Sequence, residues 1–218
     1  MLFPYKDDNP KILIPYVTYG IIGLNTALFF IQFFSTSINL NYSDKLVYSF
    51  GFVPADFNIL TIFSSMFLHG NLAHLIGNLW FLKVFGDNVE SILGHVKYSI
   101  FYLFCGVFAA LGQYIINPNS TIPMIGASGA IAGVLGAYMV QFPNARVHNI
   151  LFFIIFFSRV TLPAQIVLGF WFLLQLSQGI IELGINTTGG IAWFAHVGGF
   201  ISGITLLKYL KGLKIEVI

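Results

Sequence analysis

The chain has 218 residues, of which 57% are hydrophobic and 8% charged, with a formal net charge of +2 and a mean hydropathy of +0.84. A soluble domain carries about 25% charged residues, so the composition excludes that class and indicates a chain that crosses a lipid bilayer several times. Its lysines and arginines are scattered, with no basic run, which speaks against a nucleic-acid partner.

Charges delimit the expected spans. None occurs in 12–43, 57–82, 98–145, 160–181 or 183–207, and roughly 20 apolar residues suffice for a helix to cross. Helices are expected near 14–35, 70–87, 97–116, 125–142, 162–182 and 191–209, the long uncharged run being broken at Asn117-Pro118-Asn119-Ser120 by turn chemistry. The first of these should serve as the insertion signal, since no short apolar segment with a cleavage site follows a basic start. The loop 36–69 carries Val47, Tyr48, Phe50, Phe52 and Phe57 and is expected to rest in the interfacial region. The stretch 147–158 is strongly apolar but short for a span, and the positive-inside rule decides against it. With six spans and both ends cytoplasmic, Lys6, Lys11, Lys83, Lys97, Arg146, Arg159, Lys208, Lys211 and Lys214 lie inside and only Lys45 outside. A seventh span would divide these cations evenly. Residues 1–11 thus read as a cytoplasmic N-terminal tail, 12–210 as one membrane domain and 211–218 as a cytoplasmic C-terminal tail.

Four polar residues fall at one expected depth. His74 and Asn78 are spaced i,i+4 on the second helix and share a face, Ser128 heads the fourth within Gly126-Ala127-Ser128-Gly129, and His196 lies early in the sixth. At 1.5 Å per residue they stand roughly 5–13 Å from their helix starts, all in the outer half of the membrane. Polar side chains inside spans are rare and default to function. Small residues also gather where helices touch, which offers a plain packing account of Ser128 and assigns helix packing to Gly129, Gly136, Gly199 and Gly203. The same close approach would let an imidazole reach a hydroxyl, and neutral histidine is the base best suited to activate serine near pH 7. No acidic residue is available to complete a triad. Asp7, Asp8, Asp44, Asp56, Asp87, Glu90 and Glu216 fall in tails, loops or inner ends, and Glu182 sits at a helix end. A Ser128–His196 dyad is therefore expected. The Ser128 N–H at a helix N-terminus, the Asn78 amide and the His74 ring could bind an oxyanion.

These residues lie in motifs that resemble those of the rhomboid intramembrane serine proteases. They are His69-Gly70-Asn71-Leu72-Ala73-His74-Leu75-Ile76-Gly77-Asn78, Gly86-Asp87-Asn88-Val89-Glu90, Gly126-Ala127-Ser128-Gly129, and Ala195-His196-Val197-Gly198-Gly199 with Gly203, spread over about 50–204. The resemblance implies an all-α membrane protein, a six-transmembrane-helix rhomboid bundle with cytoplasmic termini. It also implies Ser128 as nucleophile, His196 as base, and His74 and Asn78 as oxyanion ligands. No metal or cofactor is implied. The substrates implied are single-pass transmembrane proteins cut near the outer ends of their helices, and a plasma (inner) membrane location is expected. Two positions depart from some members: an aromatic four residues after the nucleophile is Ala132 here, so His196 must be supported differently, and a Trp-Arg motif in the first loop is missing.

Other features read more plainly. Cys105, the single cysteine, falls inside the third helix and permits neither a disulfide nor a cysteine-rich metal site. His69 reads as a capping or loop-packing residue, and its i,i+5 spacing from His74 does not build a zinc site. His95 and His148 read as interfacial, Asp87 and Glu90 as structural, and Phe170 and Trp171 as a lateral gate beside a capping loop 117–127. Asn41, Asn119 and Asn186 begin N-x-[ST] patterns on the expected outer side. The rival reading is a non-catalytic relative that binds or escorts membrane proteins. A transporter would call for charged groups near the midplane, where the sequence has none.

Overall fold

A computed structural model describes residues 2–10, 12–38, 42–153, 156–185 and 191–212. Lys11, Asn41, Asn186, Lys214 and Glu216 lie outside the described residues, as does most of the 211–218 tail. The helices are α1 (Tyr16–Ile38), α2 (Tyr42–Phe50), α3 (Ile59–Ser65), α4 (Leu72–Ile116), α5 (Ser128–Gln141), α6 (Ala164–Ile185) and α7 (Trp193–Gly212). Among the described residues, Tyr16–Ser35, Leu72–Ile116 and Ala164–Gly184 are long and apolar enough to cross a membrane, and Ser128–Gln141 is a shorter apolar helix. Large apolar side chains on α1 and α6, such as Ile31, Phe34, Phe170 and Leu173, face outward.

The two helices expected near 70–87 and 97–116 are present within α4, joined at a kink where a loop over 88–96 is expected. α4 begins at Asn71, whose side chain accepts from the His74 N–H at 2.8 Å and caps the first turn. It then bends at Gly94, with φ of 73°, a conformation that glycine adopts without steric cost and that divides the helix into two arms. The polar run Asp87-Asn88-Val89-Glu90 reads as a loop by composition, yet all four side chains are buried. Their partners come from the N-terminal segment. Asn88 Nδ2 donates to Asp7 and Asp87, each at 2.9 Å, and Tyr138 donates a short hydrogen bond to Asp7. The Glu90 carboxylate accepts from the N–H groups of Val17 at 2.9 Å and Thr18 at 2.8 Å and from the Thr18 hydroxyl at 2.7 Å. A residue of α4 thus caps the first turn of α1, placing negative charge at the positive end of its dipole. His95 Nδ1 stands 2.7 Å from the same carboxylate.

The all-α expectation needs correction. The N-terminal residues expected as a tail form β1 (Leu2–Asp7), and the apolar stretch 147–158 belongs to a hairpin of β2 (Arg146–Phe153) and β3 (Phe156–Pro163). The three strands form one antiparallel sheet in the order β1-β2-β3, with Leu2 opposite Leu151 and Arg146 opposite Pro163. The physical reason is the density of β-branched and aromatic residues with alternating burial, Val147 and Asn149 inward and Arg146 outward. β1 lies along the first arm of α4: Asp7 meets Asn88, while the Phe3 ring is 5.3 Å from Trp80 and the Trp80 indole donates to the Pro4 carbonyl at 2.7 Å. β2 and β3 contact α6, so the sheet stands between α4 and α6. His148, on β2, lies 2.8 Å from Asp8, and this hydrogen bond holds the Asp8 carboxyl below the usual carboxylate range.

The long first loop is folded into α2, a short 3-10 turn at Pro54–Asp56 and α3. It is tied to the 117–127 loop by paired bonds between Phe52 and Met124 at 3.0 and 2.8 Å, and by Ala55 N–H to Ser120 at 3.0 Å. Replacing Glu90 with Gln should keep one acceptor oxygen but put an NH2 in place of the other, so that a donor faces the N–H of Val17 or of Thr18, at a cost of about 2–3 kcal/mol. Thermal unfolding in detergent measures this, and an unchanged Tm would remove Glu90 as the cap of α1.

Candidate active site

Ser128 is the first residue of α5 and His196 lies in the first turn of α7. Their proximity follows from a seam of glycines between the two helices. A Cβ on Gly199 would overlap the Gly129 carbonyl, one on Gly203 the Gly133 carbonyl, and one on Gly136 the Phe200 carbonyl. Backbones that touch at this spacing leave the short serine side chain within reach of the imidazole. His196 Nε2 stands 2.7 Å from Ser128 Oγ. The other ring nitrogen, Nδ1, is 2.7 Å from Oε1 of Gln175, a buried residue of α6. Trp171, one turn before Gln175, lies with its ring 5.9 Å from that of His196, and the Trp193 ring meets it edge-on at 6.3 Å. The aromatic support absent at Ala132 thus comes from α6 and the start of α7.

Across the site, His74 and Asn78 project from one face of α4 toward Gly126. Gly126 has φ of 120°, and a Cβ there would lie 2.7 Å from His74 Cε1 and Nε2 and 3.6 Å from Asn78 Nδ2. Its N–H donates to the Ser65 carbonyl at 2.9 Å, which pins the loop to α3 just before the serine. The first intrahelical bond of α5 runs from the Ile131 N–H to the Ala127 carbonyl, so the amides at 128–130 have no carbonyl a turn below them. Among the described residues, Asn78 Nδ2 is buried without a hydrogen-bond partner. His69 is fully buried and packs edge-on against His74 at 5.2 Å. Burial, with His74 as a second cause, pushes the His69 imidazole down to about 4.

One cavity of about 570 Å³ is lined by Ser128, His196, His74, Asn78, Trp171 and Gln175, among others. A second space of about 610 Å³ shares Asn71, His74 and Ala192 with it and is bordered by Ser120–Pro123 and Glu182. The structure therefore gathers the four polar residues singled out in the sequence around one chamber. It sets Gly129, Gly136, Gly199 and Gly203 along the α5–α7 seam, with Gly133 as a further member. Trp171 faces the chamber, whereas its neighbour Phe170 is half exposed on the outside. Gln175 escaped the sequence reading. The signal was present, since a neutral polar residue at i+4 from Trp171 in an uncharged span meets the same rule that singled out His74 and Asn78.

Comparison with known proteins gives the family context. The model of the Rhomboid domain matches residues 56–212. Rhomboid-like protein 11, chloroplastic, of Arabidopsis thaliana is 37% identical over 172 residues, covering 77% of this chain and 57% of that protein. The human presenilin-associated rhomboid-like protein, mitochondrial, is 30% identical over 153 residues, covering 66% and 36%. Rhomboid protein 1, mitochondrial, of Saccharomyces cerevisiae is 25% identical over 217 residues, covering 96% and 56%. The chain spans less than two thirds of the length of each of these relatives.

The seam makes a direct prediction. Gly199→Val should push α7 from α5 and part Ser128 from His196, and a displacement of that kind costs about 10²-fold in reactivity. Labelling of Ser128 by a fluorophosphonate should follow that loss, and a variant that labels at the wild-type rate would refute the role given to the seam.

Proposed function

Because the chain belongs to the rhomboid family, we propose that it is an intramembrane serine endopeptidase that hydrolyses transmembrane segments by a Ser128–His196 dyad. The observation that carries this reading is the 2.7 Å contact between His196 Nε2 and Ser128 Oγ in a chamber that also holds candidate oxyanion donors. In the reaction, Ser128 Oγ attacks the scissile carbonyl carbon while His196 Nε2 takes its proton. The oxyanion is met by the Ser128 N–H, the Asn78 amide and the His74 ring, aimed where negative charge develops. Collapse breaks the C–N bond as His196 returns the proton to the leaving amine. Water then attacks the acyl ester with His196 again as base, and the bond to Ser128 Oγ breaks as His196 returns the proton to that oxygen and the carboxylic acid product leaves.

The proposal includes a topology of six spans, α1, the two arms of α4, α5, α6 and α7, with both termini cytoplasmic and the tail and domain boundaries read from the sequence. In it, the chamber lies in the outer half of the bilayer. Substrates are single-pass membrane proteins. Their helices hide the scissile carbonyls, and freeing these in lipid costs several kcal/mol for each exposed group. Segments with Gly, Pro or β-branched residues near the cut are therefore preferred. The membrane concerned is part of the proposal too: several relatives are named as mitochondrial or chloroplastic, which lends no support to a plasma-membrane location.

The test is cleavage of a fluorogenic transmembrane-segment substrate by purified protein in detergent, with and without EDTA. Ser128→Ala and His196→Ala should abolish turnover, and Asn78→Ala should lower kcat by about 10²–10³-fold, all indifferent to the chelator. Cleavage that survives in Ser128→Ala would overturn the proposal. No cleavage by folded wild-type protein across helix-destabilised substrates would favour a non-catalytic binding or escort protein.

A further inference from the structure

We infer that Gln175 is the positioning residue of the dyad, its amide oxygen holding the His196 Nδ1–H so that the Nε2 lone pair faces the Ser128 hydroxyl. The inference rests on the serine-protease reading but adds a third participant on a third helix. Neutral imidazole carries one proton, and whichever nitrogen holds it cannot act as base. Gln175 Oε1 lies 2.7 Å from Nδ1, and the serine hydroxyl lies 2.7 Å from Nε2. An acceptor at Nδ1 selects the tautomer with the proton there and leaves Nε2 free to receive one. The Trp171 ring, from the turn before Gln175 on α6, lies against the imidazole and restrains its plane.

The choice of an amide has a physical reason. A carboxylate commonly orients such a histidine, but a charged side chain inside a span costs several kcal/mol unless it is paired. Glutamine supplies the same acceptor geometry with no charge to desolvate. It is buried, so bulk water cannot stand in for its oxygen, and its helix packs against α7, which carries His196.

The test compares Gln175→Met, of similar length but without an acceptor, with Gln175→Glu, which keeps one. Gln175→Met should lower kcat about 10²-fold with KM within about twofold, and Gln175→Glu should recover most of the loss. Independently of turnover, 15N spectra of histidine-labelled protein, assigned with His196→Asn, should show wild-type His196 protonated at Nδ1 and the Met variant shifted toward Nε2–H. Unchanged kcat in Gln175→Met, equal loss of kcat in both variants, or an unshifted tautomer would each overturn the inference. If wild type and Ser128→Ala fail alike to cleave, the protease reading falls, while the spectra still decide whether Gln175 sets the tautomer.

Discussion

The close approach of α5 and α7 is the constraint on which the rest of the site depends. A serine side chain is short, and an imidazole on a neighbouring helix reaches it only if the backbones come nearer than ordinary side chains allow. Gly199 and Gly203 rest on the carbonyls of Gly129 and Gly133, so the seam admits no Cβ at these positions. In lipid there is little hydrophobic drive between helices, and van der Waals contact between such surfaces is what holds them. Because the seam begins one residue after Ser128, the contact that holds the helices together is also the one that sets the distance to His196.

A second constraint lies at the other end of the bundle. Asp7, Asp87, Asn88, Glu90 and Tyr138 are buried and joined through hydrogen bonds to one another or to α1. Each is costly to bury alone and inexpensive once satisfied. The network gives the N-terminal strand a fixed seat along α4 and gives α1 a cap supplied from another helix. Hydrophobic burial specifies neither position, since one apolar face slides readily over another. The directional bonds are what fix the register of β1 and the start of α1.

Much of this was legible in the sequence, and the misses share a cause. Helix positions were readable because charges mark where apolar runs stop, and the chamber residues because polar groups in such runs are rare. The reading went astray where polar or β-branched residues carried a meaning other than the usual one. Asp87, Asn88 and Glu90 signal a loop by composition, but Asn88 and Glu90 have partners 72 to 81 residues away in the chain, beyond what local pattern reports. Residues 147–158 were weighed only as a span or a connection, although their alternating burial suits a hairpin whose pairing partner, Leu2–Asp7, is equally remote. Gln175 is hidden by chemistry of another kind: a third group beside a serine and a histidine is expected to be a carboxylate, whereas an uncharged environment favours an amide.

That substitution of an amide for a carboxylate ties the chemistry to the position of α6. The helix is held to α7 on one face and exposed on the other, and the sheet fills the space between it and α4 on the Gly94 side of the chamber. Gly77 and Phe81 of α4 and Trp171 of α6 all line the chamber that holds Ser128. The Gln175–His196 contact and the packing of Trp171 against the imidazole both depend on α6 lying against α7. The same side chains thus serve as wall of the chamber and as support for the imidazole.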